Sequence, residues 1–142
     1  MKDGSRGDYG LRALLFLAAS VELGKPVQIH AIAERQQIPE DYLRQLLVQL
    51  RAAGLVKSVR GPHGGYLLAK TPAEISMGEV IEVLEGAPEQ IHYLNERLGE
   101  ANQLDIVGAD QIRSRFNAAL SQMQATLHNT TLEELVAVAD ES

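Results

Sequence analysis

Between Pro39 and Leu68 the hydrophobic period of the chain changes once, and that change restricts the fold more than any other feature. From Pro39 to Ala53 the leucines Leu43, Leu46, Leu47 and Leu50 recur at helical spacing, which predicts one buried helix face. Pro39 suits the first position of that helix, Glu40 and Asp41 put negative charge at its positive dipole end, and Gly54 suits its termination. Asp41, Arg44, Gln45, Gln49 and Arg51 occupy the opposite face. Directly afterwards Leu55 to Val59 alternates in the manner of a strand, Arg60-Gly61-Pro62-His63 makes a turn-rich tip, and Gly64 to Leu68 returns. Upstream, Ile29 to Gln36 fits a short helix with Ile29, Ile32 and Ala33 inward, and Gln37-Ile38 is the turn. Helix, turn, helix and hairpin in that order specify a winged helix-turn-helix.

The flanking segments are helical as well. Leu11, Leu14, Leu15, Ala18, Ala19 and Val21 predict a first helix over Tyr9 to Leu23, stopped by Gly24-Lys25-Pro26. Past Pro72, Met77, Val80, Ile81 and Leu84 form one apolar face, Ser76 and Glu79 have capping-box spacing, and Gly86-Ala87-Pro88 ends the helix. Glu89 to Gly108 has no clean period beyond a short candidate helix between Ile91 and Leu98. A long helix from Asp110 to His128 follows, and a last one starts at Thr130 or Thr131, where Thr130 and Glu133 share capping-box spacing. The expected class is mainly α, with a winged-helix domain over residues 1–86, a connector over 87–109, and a long helix plus a terminal helix over 110–142. Ile112, Phe116, Leu120, Met123 and Leu127 line one stripe of the long helix. On an isolated helix that stripe would stay exposed, so it predicts a homodimer formed through it.

Charge narrows the function. The net charge is −6, but residues 1–72 hold ten Lys/Arg against six Asp/Glu, whereas residues 73–142 hold three against thirteen. A basic half joined to an acidic half suggests that the first meets a polyanion. The chain has no cysteine, which excludes disulfides, thiolate metal sites and a cysteine nucleophile. No run of 18 apolar residues predicts a membrane span, and the start lacks signal-peptide order, so a cytoplasmic protein with no membrane partner is expected. Nucleophile-elbow, His-Glu-x-x-His and Walker patterns are missing, so an enzyme is not expected.

A helix that reads double-stranded DNA buries one face and offers polar side chains to the major groove. Here Arg44 would pair with guanine, Gln45 or Gln49 with adenine, and Asp41 with a cytosine amine. In the wing, Arg60, His63 and backbone N–H groups opened by Gly61, Gly64 and Gly65 would meet phosphates or enter the minor groove. Lys2, Ser5 and Arg6 are candidate phosphate contacts. A solvated amphipathic helix beside a plain hairpin is the competing reading, and the order of the two elements favours DNA.

The run Asp41-Tyr42-Leu43-Arg44-Gln45-Leu46-Leu47, then Leu50 through Leu68, resembles the signature of the Rrf2 family of bacterial winged-helix regulators. Ser5-Arg6-Gly7 with Tyr9-Gly10-Leu11-Arg12-Ala13-Leu14, and Gly78 through Gly86, resemble other blocks of that family in the right order. The resemblance implies a transcriptional regulator, with repression the expected mode, that crosses its long helices as a homodimer on a pseudo-palindromic operator. It also implies DNA contacts at Asp41, Tyr42, Arg44, Gln45 and Arg60, and Tyr9, Gln49, Arg51 and Ser58 complete the candidate set. This chain departs from the family in two ways near DNA: Asp8 stands where many relatives have a basic residue, and Arg44 where some have Glu. Many members bind an iron–sulfur cluster through three connector cysteines. This chain has none, His92 and His128 are too far apart to form a ligand set, and so no cofactor is expected. Control by a regulatory protein partner, as in the cysteine-metabolism branch, or a winged helix acting as a protein-interaction module are the alternatives.

Overall fold

The computed structural model describes residues 5–86, 96–97 and 107–141. Helix α1 (Ser5–Ala19) leads through a 3-10 turn at Val21–Leu23 to α2 (Ile29–Gln36) and α3 (Glu40–Ala52). Strands β1 (Val56–Val59) and β2 (Gly65–Leu68) follow, then a 3-10 turn at Pro72–Glu74, α4 (Met77–Glu85), the long α5 (Ala109–Asn129) and α6 (Leu132–Glu141). None of the described helices is long and apolar enough to cross a membrane.

One core joins most of these elements. Leu14 of α1, Ile32 of α2, the four inward leucines of α3, and Val80 of α4 are all fully buried together. Leu132, at the start of α6, is fully buried in the same cluster. Burying one such side chain is worth about 1.5–3 kcal/mol. Backbone pairing fixes the return of the chain: Met77 N–H donates to the Thr130 carbonyl at 2.7 Å, and Leu132 N–H to the Ile75 carbonyl at 3.0 Å. The last helix therefore packs back onto the winged-helix core instead of extending beyond it. The long helix α5 lies on α4 with only Ala109 buried, and leaves Ile112, Phe116 and Met123 about half-exposed.

The hairpin pairs Val56 with Leu68 and Val59 with Gly65. A third strand-like contact comes from Val27, which exchanges two backbone hydrogen bonds with Tyr66 at 2.9 and 2.8 Å. This bridge holds the wing to the segment before α2.

Several boundaries differ from the sequence expectation. Helix α1 begins at Ser5, not Tyr9, because the Glu85 carboxylate accepts a hydrogen bond from Gly7 N–H at 2.8 Å and satisfies an open amide of the first turn. Pro39 is the residue before the first turn of α3 rather than its first helical residue. Ser76 accepts from Glu79 N–H at 3.0 Å, but the Glu79 carboxylate turns to Lys70, so only half of that capping box forms. A complete box exists at Thr71–Glu74, where the Thr71 hydroxyl and then its N–H hold the Glu74 carboxyl below its ordinary pKa. The cap of α6 is Thr131 with Glu134 N–H, not Thr130 with Glu133, because Thr130 donates its hydroxyl back to Thr126.

Candidate nucleic-acid interface

Helix α3 is aimed by the tight turn before it. Gln37 takes the left-handed conformation at φ 53°, and the buried Ile38 anchors the turn to the core. With Leu43, Leu46, Leu47 and Leu50 buried, Asp41, Arg44, Gln45 and Gln49 are exposed along the outer face. Arg44 has no ion-pair partner among the described residues, so its guanidinium is available to a base or phosphate. At the far end of the helix, Arg51 donates to the Ser58 hydroxyl at 3.2 Å and ties α3 to β1.

The wing tip is shaped by its glycines. Gly61 sits at φ 109°, a conformation that disfavours side chains. Gly64 is buried and donates its N–H to the Gly61 carbonyl at 3.0 Å, and a Cβ on Gly64 would occupy the position of the Val59 carbonyl oxygen. Its amide is thus committed within the turn and shapes the tip instead of facing a phosphate. Gly65 N–H lies in the hairpin and its Cβ would meet the Val27 carbonyl. Arg60 and His63 are exposed, and Arg60 has no ion-pair partner among the described residues.

The amino-terminal candidates separate into two kinds. Ser5 is half-buried at the start of α1, and Lys2 lies outside the described residues. Arg6 turns inward: its Nε donates to the Leu84 carbonyl at 3.1 Å, another guanidinium nitrogen donates to Gln49 Oε1, and its Cζ lies 6.0 Å from the centre of the Tyr42 ring. Arg6 and Gln49 therefore bind each other, and Arg6 joins α1 to α3 and α4. Tyr9 and Tyr42 pack edge to face at 5.6 Å between ring centres. Both are half-buried, and the Tyr42 hydroxyl is buried without a hydrogen-bond partner among the described residues. Arg12 stacks on Tyr9 at 4.6 Å, donates to the last carbonyl of α2 at Gln36, and pairs with Asp8 at 2.9 Å. The acid at Asp8 is thus neutralised by its neighbour on the same helix.

One residue of this surface escapes a reading based on polar side chains alone. Val48 lies one turn beyond Arg44 and is 63% exposed. Its signal in the sequence was its spacing, seven residues after Asp41 and four after Arg44.

Between α4 and α5 lies a groove of about 520 Å³ lined by Ile81, Met123 and Leu127. His128 also lines it, against Gly78, with Nδ1 bound to the Gln124 carbonyl and Nε2 3.2 Å from Glu82. These partners raise the His128 pKa above its ordinary value, the Gln124 carbonyl first and then the Glu82 carboxylate. Along α5, Ile112, Phe116 and Ala119 line a second, open apolar depression beside Arg115. Leu120 and Leu127 are half-buried and Met123 exposed on the same stripe.

A family model named Rrf2, described as an iron-dependent transcriptional regulator, matches residues 4–138. The regulator CymR of Bacillus subtilis is 36% identical over 140 residues, which cover 99% of this chain and 93% of that protein. The regulator IscR of Cereibacter sphaeroides is 34% identical over 96% of this chain and 87% of its own length. Among solved structures, T. potens IscR superposes with a TM-score of 0.74 at 33% identity, over 99% of this chain and 90% of that one.

Proposed function

This chain belongs to the Rrf2 family of transcriptional regulators, and from that premise we propose that it represses transcription as a homodimer on a pseudo-palindromic operator, without a cluster of its own. It is a DNA-binding regulator and not an enzyme. The observation that carries the proposed division of labour is that two exposed polar surfaces lie on elements that adjoin in the chain and pack on one core. Asp41, Arg44 and Gln45 are exposed on α3, Arg60 and His63 on the wing tip, and a hydrogen bond from Arg51 to Ser58 links α3 to β1. In this reading α3 enters the major groove, Arg44 pairs with a guanine, Gln45 with an adenine, and Arg60 meets the adjacent minor groove or its phosphates. Tyr9, Tyr42, Arg6 and Gln49 hold α3 in position.

Dimer formation is supported by α5. Its exposed Ile112, Phe116 and Met123 form a stripe that the described residues leave uncovered, and a second copy of the same helix would supply a cover. Two winged helices would then be presented about 34 Å apart, one turn of DNA.

The family description includes iron, so the donor set matters. The chain has no cysteine, and among the described residues no group of three His, Asp or Glu side chains converges on a point. These residues do not fit a thiolate-held cluster. From the missing cysteines we propose that no cluster is required.

Selection of bound fragments from genomic DNA tests the reading. A motif with two-fold symmetry and half-sites one helical turn apart is the expected result. An asymmetric motif would overturn the homodimer, and no enrichment would overturn the assignment of α3 and the wing.

A further inference from the structure

We infer that Val48 is a specificity-determining residue that reads the 5-methyl group of a thymine in the major groove. The inference rests on the proposed role of α3 as the recognition helix and adds a reader that the polar residues do not supply. At about 100° per residue, Val48 lies within roughly 20° of Asp41 and between the directions of Arg44 and Gln45. It is also about 150° from the centre of the face formed by Leu43, Leu46, Leu47 and Leu50. It is 63% exposed, so two methyl groups stand in water at the middle of an otherwise polar surface. Arg44 and Gln45 flank it about one turn earlier, roughly 6 and 4.5 Å along the axis.

The chemistry of the groove selects the partner. Valine offers no donor and no acceptor. Of the groups that base pairs present in the major groove, the thymine methyl is the one apolar feature, whereas cytosine presents an amine and the purines present N7 with a donor or acceptor. Opposite a thymine, Val48 buries methyl against methyl. Opposite the other bases it strips water from a polar edge that it cannot satisfy. With α3 running along the groove, this thymine lies one to two base pairs beyond the base that Arg44 reads.

The test deletes single methyl groups. The wild-type protein first selects a tight duplex from a random library. Each thymine of that duplex is then replaced in turn by 2′-deoxyuridine, which lacks only the 5-methyl group. One thymine per half-site should matter to the wild type, with a loss of roughly four-fold per half-site, as for one buried methylene-sized group. At the same position 5-methylcytosine should bind more tightly than cytosine. Val48→Ala should bind the thymine and deoxyuridine duplexes alike while retaining its melting temperature, since the side chain is exposed and alanine favours the helix. A wild type indifferent to every deoxyuridine, or an equal penalty in Val48→Ala, would overturn the inference while leaving α3 as the reader. A protein that selects no duplex would overturn both.

Discussion

The guanidinium of Arg6 donates to the side-chain oxygen of Gln49, a contact between the first turn of α1 and the outer face of α3. With its Nε on the Leu84 carbonyl at 3.1 Å, Arg6 spans three helices. Both residues had the composition of DNA contacts, and the structure makes them partners of each other. A lysine retains the charge of a phosphate contact but not the planar fork that serves two acceptors at once. Arg6→Lys should therefore lose nearly as much stability as Arg6→Ala, roughly 1 kcal/mol. Denaturant unfolding of the two variants checks this. Unchanged stability of the lysine variant with normal DNA affinity would show Arg6 to be a simple phosphate contact.

Phe116 is 44% exposed on α5, so replacing it with a charge leaves the single-chain core intact. Phe116→Asp should sediment as a folded monomer and lose about a hundred-fold or more in operator affinity, since the two half-sites are no longer linked. A dimeric variant with normal affinity would remove α5 as the interface.

Arg44→Ala should relax preference at one base pair per half-site, at a cost of about 1–3 kcal/mol on the preferred sequence. Affinity for unrelated sequences should change far less. Competition between the preferred duplex and single-position variants measures the difference.

The tie between α4 and α5 carries a pH dependence. The Gln124 carbonyl and the Glu82 carboxylate raise the His128 pKa in the folded protein above the ordinary 6.5. The protonated ring is the form that folding favours. Its stabilisation is fully present below pH 6.5 and is lost as pH rises through the raised folded value. The melting temperature of the wild type minus that of His128→Gln should thus be largest in mild acid and shrink toward alkaline pH. A difference that stays constant across the range would show the ring to act by packing on Gly78 alone.

The sequence made the helix-turn-helix and wing legible because their signals are local. The inward leucines of α3 and the tip residues Arg60 to His63 each sit within a few positions of the partners that give them meaning. Gln36 ends α2 where periodicity predicts. The contacts that were not legible join distant segments. Gly7 and Glu85 are 78 residues apart, as are Arg6 and Leu84, and no local pattern announces such a pair. The glycine near the start of α1 reads as a weak helix position, yet a Cβ on Gly10 would occupy the space of Leu84 Cδ1, so the small residue sets the approach of α1 to α4. Gly64 likewise reads as an open backbone donor until its bond to Gly61 is seen. The capping residue of α6 shifted by one position because Thr130 and Thr131 have the same chemistry, and the sequence does not show that the Thr130 hydroxyl is already committed to the Thr126 carbonyl of the preceding helix.

The most direct test of the central claim, that α3 and the wing bind duplex DNA, is the salt dependence of binding to the selected operator. A dimer contacting several phosphates per half-site should show log K falling steeply and linearly with log of salt, by about 0.9 for each phosphate neutralised. Arg60→Ala, which removes one cation from each protomer, should make that slope shallower by up to about 1.8. A slope near zero in the wild type, or no duplex binding at low salt, would contradict the account.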